Sequence, residues 1–180
     1  MNPTARQLTT HETAPFPFNA TQRFTLPDDP TERVRVTVAA MCAMIHHAAA
    51  VGPNVAALAR HIGNPKTLWL DLKELQKRTP DPDGAELLRS PEQSAETARE
   101  WGEFEGDCDD VAMLACAIAI RKGWACALRV MRREGMEWEH VYAIVKPDAV
   151  AYVIDPQETA APFQEREGAV ETLDFPVWRT

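Results

Sequence analysis

The chain has 180 residues and a mass of 20.1 kDa, and 45% of its residues are hydrophobic and 26% charged, the composition of one ordinary globular domain. A net charge of −8 and a pI near 5.1 exclude the basic face a nucleic-acid partner needs. Residues 1–10 are polar, with no charged-then-apolar leader, and His46 and His47 interrupt the apolar run at 36–51. Neither a secretory signal nor a transmembrane helix is expected, and hence no membrane partner.

Residues 1–30 contain Pro3, Pro15, Pro17, Pro27 and Pro30 and few periodic apolar positions. They read as an extended arm docked through Phe16, Phe18 and Phe24, or as a disordered leader, which fits the same composition. Thr31 is read as the cap of a first helix, with Val34, Val38, Met41, Cys42 and Ile45 as its apolar stripe and His46 and His47 near its end. A metal role for these histidines with His61 lacks an acid or thiol ligand at supporting spacing. Residues 54–62 and 67–78 read as further helices, 79–84 as a loop, and 91–101 as a short polar helix capped by Ser90 with Pro91 at its first position.

Residues 111–120 are uniformly small or aliphatic, too short to span a bilayer and too long for an ordinary strand. They predict a helix buried on every side, ending at Lys122 and Gly123. Its polar beginning, Gly106-Asp107-Cys108-Asp109-Asp110, then lies where solvent reaches the core. A helix N-terminus stabilises a thiolate and offers free N–H groups to an oxyanion. The same stretch also reads as an ordinary cap, Asp107, with Cys108 as a small filler. Three neighbouring carboxylates oppose ionisation of the thiol, so a nucleophilic Cys108 requires a base from elsewhere.

Beyond Gly123 the period changes to two. Trp124, Cys126, Leu128 and Val130 share one strand face, a turn falls at 133–136, and Trp138, His140, Tyr142 and Ile144 share a face of the next strand. A third strand at 150–154 ends at Asp155-Pro156. The expectation is an α+β domain: a helical part at 31–101, a buried central helix starting at the cysteine, and an antiparallel sheet. The domain is drawn over 31–170, with a core at 105–156 and a tail at 171–180.

Of the four cysteines, Cys42, Cys116 and Cys126 lie in apolar stretches, no CxxC pair occurs, and only Cys108 has polar neighbours on both sides. The chain reads as intracellular, without disulfides, metal or cofactor. His140 on one strand and Asp155 at the end of the next can stand side by side, and the helix packed on that sheet brings Cys108 within reach. A thiol, an imidazole and an orienting acid are what nucleophilic cysteine chemistry requires.

Gly106-Asp107-Cys108-Asp109-Asp110, Gly123, Glu139-His140-Val141-Tyr142 and Ile154-Asp155-Pro156 together resemble the transglutaminase-like superfamily, and Asp83, Glu86-Leu87 and Ser90-Pro91 resemble its approach to the nucleophile. The resemblance spans roughly residues 81–157 and is closest to small bacterial and phage-encoded members. It implies a papain-like fold and catalytic Cys108, His140 and Asp155. The implied reaction is thiol-dependent acyl transfer on peptide or side-chain amides: a protease, amidase, deamidase or transglutaminase. The oxyanion would be held by the Cys108 backbone N–H and one further donor, for which Trp101 or Trp69 is available. No EF-hand calcium loop occurs, and the Arg-Gly-Gly lead-in of arylamine acetyltransferases is absent. The alternative is a non-catalytic structural or accessory protein, for instance of a phage particle, that binds its partner through residues 1–30. Location would then be the cytoplasm or a phage particle.

Overall fold

The structure, a computed structural model, describes residues 21–24, 26–81, 86–157, 161–164 and 168–178. Helix α1 (Pro30–Val51) is capped by Asp29 and not by Thr31: the Asp29 carboxylate accepts the Glu32 N–H at 2.8 Å and Pro30 occupies the first turn. Val34, Val38, Met41, Met44, Ile45, Ala48 and Ala49 are buried, whereas Cys42 is only half-buried. By length and composition α1 is apolar enough to cross a bilayer, despite the two histidines. Here its apolar stripe packs on the central helix. Because it runs to Val51, His46 and His47 fall short of its last turn, where a charge would feel the dipole most. Pro53 opens α2 (Pro53–His61), and the Asn64 side chain caps α3 (Pro65–Leu75) by accepting the Thr67 N–H.

The third helix is shorter than its pattern suggests. Residues Gln76–Arg78 leave it as strand β2, which pairs in parallel with β4 (Phe104–Gly106), and Thr79 N–H bonds Gly106 O at 3.0 Å. Strand pairing outcompetes the helical propensity of Lys77 and Arg78. Strand β1 (Thr21–Phe24) pairs antiparallel with β3 (Glu86–Arg89), so residues 21–24 of the expected arm dock through backbone hydrogen bonds. Phe16, Phe18 and Asp83 lie outside the described residues. Helix α4 (Pro91–Trp101) starts where its Ser90 cap and Pro91 place it and stops at Gly102, whose φ of 75° suits a residue without a Cβ.

Helix α5 (Cys108–Arg121) is the centre of the molecule. Asp107 caps it, and every residue from Asp110 to Ala119 is buried. Around it close α1, α2, α4 and the inner face of a four-stranded antiparallel sheet in the order β7-β6-β5-β8: β5 (Ala125–Arg133), β6 (Trp138–Lys146), β7 (Tyr152–Ile154) and β8 (Ala169–Trp178). Leu128 and Val130 stand opposite Ala143 and Val141 on the face toward α5, while Met131 stands opposite His140 on the other. The register slips between Met131 and Arg132, whose partners are His140 and Trp138, so Glu139 is an extra residue at the start of β6. Such a bulge re-aims the side chains beside it.

The chain is thus a mixed helix-and-sheet domain with an antiparallel main sheet, as expected. One boundary needs correction: residues read as a tail from 171 onward form β8, the edge strand, tied to β5 by the Arg129–Asp174 and Arg132–Glu171 pairs. Its residues are nearly all exposed, so no buried alternation marks it in the sequence.

Candidate active site

Cys108 is the first residue of α5, and its N–H belongs to the first turn, where no intrahelical acceptor exists. Its side chain is half-buried and reaches β6, where the Val141 N–H donates to the sulfur. Strand β6 therefore meets the thiol one residue after His140. His140 is 4% exposed, and its Nε2 lies 2.8 Å from Asp155 Oδ2, with Asp155 2% exposed. With Nε2 engaged, Nδ1 is the nitrogen left to exchange a proton with another group. The Tyr142 ring packs against the imidazole at 5.7 Å. Asp155 lies just past β7, and the following Pro156 carbonyl accepts from Lys73 Nζ, which clamps the acid's turn to α3.

Cys108 and His140 both line one cavity of about 280 Å³. Its walls are the first half of α1, the start of α5, the start of β6 and the segment carrying Asp81 and Glu86. Of the residues singled out in the sequence, His140 is paired with Asp155 and shares one cavity with Cys108; His140 lies on the sheet face of Met131 and Tyr142, and among the described residues no hydrogen bond joins it to the thiol. The tryptophans stand apart. Trp101 ends α4 with 76% of its surface exposed, away from the cavity. Trp69 is buried in α3, its Nε1 without a hydrogen-bond partner among the described residues, and it too is absent from the cavity wall. A second oxyanion donor from either indole is not supplied in this arrangement.

The electrostatics are acidic. Cys108 Sγ donates to Asp109 Oδ1 at 3.4 Å. Burial pushes the thiol well above its ordinary value, Asp109 and Asp107 add to the rise, and the Val141 N–H opposes it. Burial likewise raises Asp109 well above the carboxylate range, reinforced by a hydrogen bond with the Glu86 carboxyl. Asp107 is pushed up to about 6 by burial, with Asp81 next in effect. Asp110, fully buried, is raised to about 7 by burial although it accepts the Arg89 N–H at 2.7 Å and Arg89 Nη1 at 3.0 Å.

Asp107, Cys108 and Asp109 have ligand atoms within 4.8 Å of one another, the one group among the described residues with donors so close. Three successive residues span one edge of a coordination shell, so a metal there would need further ligands from outside the trio. Among the described residues, His46, His47 and His61 belong to no such group. All four cysteines are free: Cys116 and Cys126 are buried in the core and Cys42 is half-buried on α1.

Sequence reasoning missed the Val141 N–H on the sulfur, and the arrival of Asp81, Glu86 and α1 at the cavity. None carries a local signal, because each depends on which segments the fold brings across. No protein-family model matches the chain, and no curated protein is detectably similar to it.

Proposed function

We propose that the protein is a cysteine-dependent amide hydrolase or acyltransferase of the transglutaminase-like kind, with a papain-like arrangement of helix and sheet. The observation carrying this reading is the buried His140–Asp155 pair, 2.8 Å apart, whose histidine lines the same cavity as Cys108. Asp155 fixes the imidazole with Nε2 engaged, so Nδ1 serves as the base. Nδ1 takes the thiol proton, and the sulfur attacks an amide carbonyl carbon. The resulting oxyanion accepts from the free Cys108 N–H at the positive end of α5. The imidazolium returns its proton to the leaving nitrogen, the C–N bond breaks, and ammonia or an amine departs. Water or a primary amine then attacks the thioester, gives a proton to Nδ1, and releases the acid or the new amide with the thiol restored.

Asp109 holds the thiol as a donor, and in that state it is a poor nucleophile. Attack requires the S–H to leave Asp109 and give its proton to the imidazole. The same contact favours a second reading, a domain that keeps this fold without catalysis and acts through a partner. The test is mass spectrometry of amide substrates incubated with the protein and a primary amine. Replacement of ammonia by water indicates hydrolysis and by the amine indicates transfer; both vanish in Cys108→Ala if the first reading holds. Biological activity that survives Cys108→Ala supports the second.

A further inference from the structure

The cavity is two-sided. Toward α1 and β5 its wall is aliphatic, with Val34, Val38, Met41 and Val130. Toward the start of α5 it carries Asp81, Glu86, Asp107 and Asp109, and among the described residues none of these has a basic group within ion-pair distance. The other acids of the wall are neutralised, Glu137 by Arg33 at 3.2 Å and Glu139 by Arg133. Among the described residues Arg33 is the only Lys or Arg lining the cavity, and its Nε and Nη2 are held by the Pro27 and Asp28 carbonyls. Arg89 is close enough to influence Asp81 and Asp107, but its guanidinium is bonded to Asp110.

Resting on the proposed function, we infer that the acyl-donor substrate of this cleft carries a cationic group on an aliphatic stem next to the amide under attack, as in a lysine- or arginine-flanked peptide. An aliphatic stem fits the apolar wall, and the cationic head is the one group that relieves four crowded carboxylates. Burial and neighbouring acids push Asp107 and Asp109 up, a cost that an entering cation offsets. A walled acidic cleft also concentrates cations ahead of binding.

The test needs no substrate. Cys108 is alkylated with 2-bromoethylamine, iodoacetamide and iodoacetate, a cationic, a neutral and an anionic reagent, each rate normalised to that of free N-acetylcysteine. The expected order is cation, neutral, anion, with a cation-to-anion ratio of about tenfold or more at low salt, shrinking in 0.5 M NaCl. In the Asp81→Asn/Glu86→Gln double variant, shown folded by circular dichroism, the ratio should fall toward one. A ratio near one in the unmodified protein, or one favouring iodoacetate, overturns the inference while leaving the nucleophile intact. Failure of iodoacetamide to label Cys108 ahead of the other thiols overturns the proposed function instead. For variants, Asp81→Asn alone serves if the double variant is unfolded, with a smaller fall in the same direction.

Discussion

Asp109 is the residue on which the chemistry of the thiol turns. Its carboxyl accepts from Cys108, so removing its charge while keeping its shape should ease ionisation of the sulfur. Asp109→Asn is expected to raise the iodoacetamide rate of Cys108 at pH 7 several-fold, on the basis that one pKa unit is tenfold in thiolate fraction. An unchanged or slower rate contradicts the role given to this acid. Arg89 is a separate case. Its backbone N–H and its guanidinium each donate to a carboxylate with no exposure at all, and Arg89→Met removes the guanidinium bond and, among the described residues, the only charge paired with that group, while the backbone bond stays. A loss of about 3 kcal/mol in a urea denaturation is expected, against well under about 1 kcal/mol for removing the exposed Arg35 of the Glu32 pair.

At the scale of elements, the site depends on contacts that fix three chain ends. Asp107 starts α5 at the cysteine, the bulge at Glu139 re-aims the start of β6, and Lys73 ties the turn after β7 to α3. Lys73→Ala frees the Pro156 carbonyl and loosens Asp155; its effect should appear as slower Cys108 labelling with the pH dependence shifted, rescued in part by Lys73→Arg. A simple loss of stability with unchanged labelling of the folded fraction goes against a positioning role. Glu92 performs a similar service for the helices: buried at 2% exposure, it accepts from Asn54 N–H and Val55 N–H at the start of α2. These elements divide by how much of their cause is local. Helices α4 and α5 are readable because Ser90-Pro91 and Asp107 are caps and the apolar run is continuous. Strands β2, β3 and β8 are not, since each exists only by pairing with a distant segment and presents no regular alternation of its own.

Across the whole molecule, burial has raised several acids at once. Asp107 is raised to about 6, Asp110 to about 7, and Asp81 and Asp109 also rise, mainly through burial. The folded state therefore binds protons that the unfolded chain has released, so stability is fullest near pH 4 and declines as pH rises through 6 and 7. The lowered Asp174, beside Arg129, works the other way but titrates below that window. Thermal unfolding should come at least about 5 °C higher at pH 5 than at pH 8, which corresponds to roughly 2 kcal/mol for a chain of this size; a higher midpoint at pH 8 contradicts the raised acids. The His140–Asp155 pair and the place of Cys108 at the mouth of α5 were legible because all three sit near element ends that local patterns locate. The acidic and aliphatic walls were not, because α1 and the segment around Glu86 reach the cavity only through tertiary packing.

The most direct measurement is a time course of iodoacetamide labelling at pH 7.5, read thiol by thiol by mass spectrometry in the unmodified protein and in His140→Ala. Cys108 should be modified well ahead of Cys42, Cys116 and Cys126, and loss of the imidazole should slow it by about tenfold or more, the range expected when a general base is removed. Equal modification of the four thiols, or a Cys108 rate indifferent to His140, would contradict a sulfur activated by the sheet.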